Sequence, residues 1–113
     1  MIVNIGNNEF IVKTMLTPEH TQKGMQGRKF DSSFNGMLFL MDTDEHNFWM
    51  KDCLVPLDII FIRGKRLHKI HHNCQPCKGE PCEHYQGVGD LVLELPGGTC
   101  EKNHIKEGDF IKF

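Results

Sequence analysis

The apolar residues of this chain come in short runs, many alternating with polar residues and most bounded by glycine, proline, asparagine or aspartate. A period of two with frequent punctuation is the pattern of β-strands, whose side chains alternate between faces. Ile2 to Ile5 and Glu9 to Thr14 flank Gly6-Asn7-Asn8 and read as a hairpin. Gly36 to Met41 is an apolar strand, followed by the acidic turn Asp42-Thr43-Asp44-Glu45. His46 to Lys51 and Leu57 to Ile62 form the centre of the pattern. Pro56, in the segment that joins them, suits a strand entrance rather than a strand interior. Leu57-Asp58-Ile59-Ile60-Phe61-Ile62 is apolar on both alternating faces except at Asp58, so both faces are expected to be covered. Arg63-Gly64-Lys65 turns the chain back into a strand from Arg66 to His72.

Residues 73 to 89 combine prolines, glycines and cysteines and read as a long irregular loop. In Asp90 to Leu95 the leucines at 91, 93 and 95 share one face; Asp90, Val92 and Glu94 share the other, which places Glu94 in solvent. Pro96-Gly97-Gly98 is a turn, Thr99 stands where it can cap a single helical turn, and Gly108-Asp109 leads into a last short strand. A helix is predicted near residues 17 to 25, with Thr17 as N-cap, Pro18 at the first helical position, Glu19 at the positive end and Gly24 or Gly27 as the stop. About seven short strands with little helix predict a mainly β domain, a small antiparallel β-sandwich or partly open barrel with one short helix packed against it.

A length of 113 residues and 13.0 kDa supports one core and not two, so residues 1–113 are read as a single domain. With 39% hydrophobic and 25% charged residues, the chain has the composition of a globular protein and not of a disordered one. A net charge of −2 supplies no broad electrostatic footprint for nucleic acid or anionic lipid. The one basic stretch, Arg63, Lys65, Arg66 and Lys69 with His71 and His72, reads as a solvated hairpin end; a nucleic-acid contact through this 63–72 ribbon is the alternative. The longest apolar stretch, Leu54 to Ile62, is interrupted by Pro56 and Asp58 and is too short to span a bilayer. Met1 to Gly6 lacks the basic region and apolar run of a secretion signal, so a cytoplasmic setting is expected. In that setting five cysteines favour thiols or thiolate–metal bonds over disulfides. Oligomeric state and partner have no signature in the sequence.

Several stretches carry a family resemblance: Gly24-Met25, Gly36-Met37-Leu38-Phe39, Phe48-Trp49-Met50-Lys51-Asp52 and Val55-Pro56-Leu57-Asp58-Ile59-Ile60-Phe61-Ile62. Pro81-Cys82, Tyr85, Val92-Leu93-Glu94-Leu95-Pro96-Gly97-Gly98 and Ile105-Lys106-Glu107-Gly108-Asp109 follow in the same order. Over about residues 10 to 113 the chain resembles the bacterial and phage family catalogued as domain of unknown function 192. The resemblance implies a compact, mostly antiparallel β fold with one helix packed on it, a bacterial or phage-infected cell as its setting, and no known enzyme class. Many members carry a secretion signal, which the opening residues here do not show. Asn103-His104 stands where the family commonly has a small residue, so a differently shaped last turn is expected.

Three groups of residues could support chemistry. Cys74-x-x-Cys77-x-x-x-x-Cys82-x-His84 has thiolate and imidazole spacing suited to zinc, in a loop that Pro76, Gly79 and Pro81 let wrap tightly. Reduced thiols in an ordered loop and a disulfide are the competing readings. Lys51 and Asp58 form the second group. A carboxylate inside a doubly apolar strand must find donors, and Lys51 or backbone N–H groups are the candidates. The bland reading is an aspartate that pins the hairpin. Met25, Phe39 and Trp49 make up the third group, able to line an apolar pocket with Lys51, Asp58 and Glu94, or simply to be core. No phosphate-cradling glycine loop, paired-carboxylate motif or hydrolase elbow appears, so a catalytic role has no motif behind it. The expected function is a non-enzymatic binding or accessory module with a metal-stabilised cysteine loop. A small-ligand pocket or enzyme built on Lys51, Asp58 and Trp49 is the alternative.

Overall fold

The opening hairpin forms as its punctuation predicts. In the computed structural model, which describes residues 1–16, 24–41, 45–79 and 81–113, β1 (Ile2–Ile5) pairs antiparallel with β2 (Asn8–Met15) from Ile2↔Ile11 to Ile5↔Asn8. Next to β2 lies β3 (Gly36–Leu40), and the two run parallel, in register from Val12↔Gly36 to Met15↔Phe39. This parallel pair stands within the mostly antiparallel fold that the resemblance implies; the long connection between Met15 and Gly36 supplies the crossover that such a pair requires. The helix expected near residues 17 to 25 falls mainly on 17–23, outside the described residues; Gly24 and Met25 lie in a turn.

Four more strands complete the main sheet: β5 (Leu57–Arg63), β6 (Arg66–Cys74), β8 (Leu91–Pro96) and β9 (Ile111–Lys112). The strand order is β6-β5-β8-β3-β2-β1-β9. The sheet curls into a half-barrel whose two edges approach each other. Arg66 bridges Phe110, the Leu67 N–H donates to the Asp109 carbonyl at 2.8 Å, and the Ile111 N–H donates to the Lys65 carbonyl at 2.9 Å. The chain is thus mainly β and partly closed, in line with the partly open barrel read from the sequence.

The remaining pair is a correction. Alternation along the chain leaves His46 to Lys51 without an assigned partner and residues 73 to 89 as irregular loop. Instead β4 (Glu45–Trp49) pairs with β7 (His84–Val88), from Glu45↔Val88 to Trp49↔His84, as a separate two-stranded ribbon. The ribbon lies over the main sheet because Gly87 has no Cβ; one built there would collide with the Phe61 ring of β5. Phe48, from the same ribbon, packs edge-on against Phe39 and Phe61, with centroids 5.4 and 5.7 Å apart.

Two hydrophobic clusters result, one on each face. Val3, Ile5, Val12, Leu38, Ile60, Leu93 and Ile111 fill the concave side, joining strands from both edges. Met25, Met37, Phe39, Met50, Ile59, Phe61 and Val92 form the second cluster beneath the ribbon. That second layer is why β5 reads apolar on both faces.

Asp58 ties these parts together. It is fully buried, and three backbone N–H groups donate to its carboxylate: Asn73 to Oδ1 at 2.8 Å, Gly98 to Oδ1 at 3.1 Å and Cys100 to Oδ2 at 2.8 Å. The β5–β6 register shifts between Leu57↔Cys74 and Ile59↔His71, so His72 and Asn73 oppose Asp58 alone, a bulge that turns the Asn73 N–H toward the carboxylate. The other two donors belong to the start of α1 (Thr99–Lys102). The sequence suggests Thr99 as the cap of this turn. The N-cap is Gly98, at φ 89°, and the Thr99 hydroxyl donates to the Pro96 carbonyl at 2.6 Å. Asp58 therefore does from a neighbouring strand what a capping side chain does locally.

Replacing Asp58 with Ala should leave three backbone donors unpaired, a loss on the order of 3–5 kcal/mol. Urea unfolding of Asp58→Ala checks this: a midpoint equal to that of the unsubstituted protein would contradict it.

Candidate functional site

Beside the second cluster a pocket of about 190 Å³ opens between the ribbon and the main sheet. Its lining comes from four places: Phe39 and Met41 at the end of β3, Glu94 on β8, His46 to Trp49 on β4, and Gly24 to Gln26 with Cys53. The last two segments are sewn together, since Gln26 bridges Cys53 and the Gly27 N–H donates to the Asp52 carbonyl at 3.0 Å. Glycine is needed at 24 and 27, where φ is 48° and 68°.

Glu94 is the polar centre of this site. Its neighbours in register are Met37 on β3 and Ile59 on β5, both members of the apolar cluster, so its side chain enters that layer and not solvent. It is 4% exposed, and among the described residues its Oε1 has no hydrogen-bond partner. Burial pushes its carboxyl from the ordinary 4.5 up to about 8. The solvated position expected for Glu94 is thereby corrected. Alternation along β8 puts it opposite the leucines correctly, but a second core covers that face.

The surroundings of the carboxyl are apolar or weakly polar. Cys53 lies in the same lining, and burial pushes its thiol up to about 12. Trp49, 38% exposed, forms the outer wall and packs edge-on against His84, with centroids 5.8 Å apart. The Lys51 ammonium lies 5.1 Å from the centre of the Trp49 ring. Of the six residues expected to form a pocket, Met25, Phe39, Trp49 and Glu94 line it together. Lys51 stands beside it through Trp49, and Asp58 is occupied with backbone N–H groups elsewhere. His46, Asn47, Met41, Gln26 and Cys53 complete the lining without a motif to mark them in advance.

The expected zinc site does not assemble. Cys77 and Cys82 are joined by a disulfide, with S–S 2.10 Å, so neither sulfur is a free thiolate. Cys74 is a buried thiol pushed up to about 11 by desolvation, and its sulfur contacts the His71 carbonyl at 3.5 Å. His84 is exposed on the ribbon against Trp49. No group of metal-binding side chains occurs among the described residues. The physical reason is proximity: Cys77 and Cys82 lie with Cα atoms 5.9 Å apart, a disulfide distance, while Cys74 is buried in the core. The closed loop is anchored next to the pocket, since the Asp52 N–H donates to the Cys77 carbonyl at 3.0 Å and the Cys77 N–H to the Met50 carbonyl at 3.1 Å.

The basic 63–72 stretch divides between two sides of the molecule. Lys65 and Arg66 lie over the rings of Phe113 and Phe110, at 5.2 and 4.5 Å, while His71 packs against Phe61 and Tyr85 under the ribbon. Among the described residues, no helix is long and apolar enough to cross a membrane.

Comparison with known proteins places this geometry in context. The model of the DUF192 family, described as an uncharacterised ancient conserved region, matches residues 1–113. A protein of unknown function from Novosphingobium aromaticivorans has the same fold, with a TM-score of 0.88 and 29% identity over 99% of this chain and 84% of that one. A candidate transcription regulator from Sinorhizobium meliloti is similar with a TM-score of 0.82 and 25% identity, over 98% of this chain and 89% of that one. No curated protein sequence matches the chain.

Glu94 makes stability depend on pH in a defined direction. Its folded value, about 8, lies above the ordinary 4.5, so its contribution is complete below about 4.5 and is lost as pH rises to about 8. At about 1.4 kcal/mol per unit of pKa, the loss is on the order of 5 kcal/mol. Melting temperature measured across that range should fall for the unsubstituted protein and stay flatter for Glu94→Gln. Parallel profiles would show that Glu94 ionises freely in the folded state.

Proposed function

Because the chain belongs to the uncharacterised DUF192 family, we propose its function from the geometry: it is a non-enzymatic small-ligand-binding module, and its site is the pocket around Glu94 and Trp49. One observation carries this reading. A carboxyl oxygen with no partner among the described residues is buried in the wall of a pocket whose other lining is mostly aromatic, thioether and thiol side chains, with Gln26, His46 and Asn47 as its further polar members. Leaving a buried polar atom unpaired costs several kcal/mol, on the order of 2–7, and a ligand that supplies a donor recovers it. A mostly apolar hollow with a few placed polar groups is the usual composition of a small-molecule site.

A different assignment of roles follows for the other candidates. Asp58 holds the scaffold, and Lys51 with Trp49 forms the outer wall. The Cys77–Cys82 loop braces the segment from Met50 to Cys53 that carries part of the lining. A cytoplasmic setting belongs to the same reading; there the Cys77–Cys82 bond faces a reducing thiol pool, while Cys53, Cys74 and Cys100 stay buried. A nucleic-acid contact, the role suggested by the candidate regulator from Sinorhizobium meliloti, has less support in this chain. The cations at the tip of its basic hairpin lie over Phe110 and Phe113, and its net charge is −2.

Trp49, the chain's single tryptophan, reports on the site directly. Titration with toluene and with phenethyl alcohol should change its emission saturably and raise the melting temperature. A linear, non-saturating response with no thermal shift for either probe would contradict a pocket that admits small ligands.

A further inference from the structure

We propose that the ligand of this pocket is a protonated organic amine, a compact aromatic or alkyl body whose ammonium group pairs with the Glu94 carboxylate. The inference rests on the pocket reading above and narrows it to a chemical class.

Size limits the ligand. The pocket has about 190 Å³ of room, and an apolar cavity of ~150 Å³ is enough to hold benzene. One ring with a short arm fits, whereas a nucleotide or a peptide does not. Polarity narrows the choice. A wholly apolar ligand would seal Glu94 Oε1 away with no donor, keeping the cost of an unpaired buried oxygen. An anionic ligand would meet a carboxyl that can ionise only against it. An alcohol supplies one donor and no charge. An ammonium group supplies three donors and the opposite charge, in surroundings where charge-assisted hydrogen bonds are strongest.

The walls suit a cation as well. The lining offers the rings of Phe39, Phe48 and Trp49, whose faces attract positive charge. Trp49 already has the Lys51 ammonium 5.1 Å from its centre, which shows that this ring accepts a cation in the folded protein. A ligand ammonium at Glu94 would sit deeper, toward β8.

Binding of an amine moves one proton. The titratable groups facing Glu94 from the packed elements are the Cys53 and Cys74 thiols, held protonated by burial, and the His46 imidazole on the ribbon. In the empty pocket at neutral pH the Glu94 carboxyl carries a proton, because desolvation alone disfavours its charge. Binding the ammonium form leaves Glu94 as carboxylate and releases that proton to solvent. Affinity for an amine should therefore rise by roughly tenfold per pH unit below the carboxyl's folded value and level off above it.

Three probes of one shape test the class: phenethylamine, phenethyl alcohol and phenylacetate, each titrated into the full chain and followed by Trp49 emission and calorimetry. The amine should bind roughly tenfold or more tightly than the alcohol at about pH 8, with the phenylacetate weakest. Glu94→Gln should remove that preference and with it the pH dependence of amine binding. The pH profile of the unsubstituted protein tests the same pairing without a variant. Equal affinity for amine and alcohol with no pH dependence, or a preference for phenylacetate, would overturn the amine assignment and leave the pocket standing. Absence of binding by all three would overturn both the amine class and the pocket reading beneath it.

Discussion

A carboxyl group buried near the start of a central strand is the constraint on which this fold is organised. Asp58 cannot be left without donors, and the chain bends in two places to supply them. The β6 strand bulges at His72 and Asn73, and the β8 strand ends in a glycine turn whose helix start points back at β5. Each distortion alone would cost ladder hydrogen bonds; together they satisfy one carboxyl group with three N–H donors. The arrangement fixes the register of β5 against β6 and the point at which β8 leaves the sheet. It thereby fixes which residues of β5 and β8 face each of the two cores.

The same sheet buries a second carboxyl and resolves it differently. Glu94 lies on β8, the strand next to Asp58, one residue before the Leu95 that pairs with Asp58 in register. No bulge or helix start comes to its Oε1 among the described residues. The result is an acid kept neutral at physiological pH by burial, whereas the Asp58 carboxyl has its hydrogen-bond donors supplied by the scaffold. Two acidic residues in adjacent strands thus divide the labour: one is consumed by the scaffold, and the other is available to whatever enters the pocket. Available donors, not burial, separate the two roles, because both side chains are almost completely buried.

The strands of the main sheet are legible from alternation and punctuation, and so is the burial of Asp58, because an acid inside Leu57 to Ile62 interrupts apolar residues on both faces. The same logic applied to Val92-Leu93-Glu94-Leu95 would find Glu94, yet a single apolar companion, Val92, on its face is too little to signal a second core. That core is supplied by the ribbon β4–β7 and by residues 24 to 34, parts distant in sequence from β8. Tertiary coverage of this kind leaves no local trace. The ribbon itself is half hidden for the same reason: His84 to Val88 is polar and glycine-bearing, and becomes a strand only because Glu45 to Trp49 pairs with it. Cysteine spacing groups Cys74, Cys77 and Cys82 in one loop, but spacing alone chooses neither between a shared metal and a disulfide nor which two sulfurs would be bonded.

Function in this account depends on the state of one carboxyl group. Its most direct measurement is a carbon NMR titration of the Glu94 side chain, selectively labelled, across the range from acid to mildly alkaline pH. A midpoint at about 8, the value burial imposes, is the predicted result. A midpoint at the ordinary 4.5 would mean that water or another donor already reaches the carboxyl, and would contradict the account.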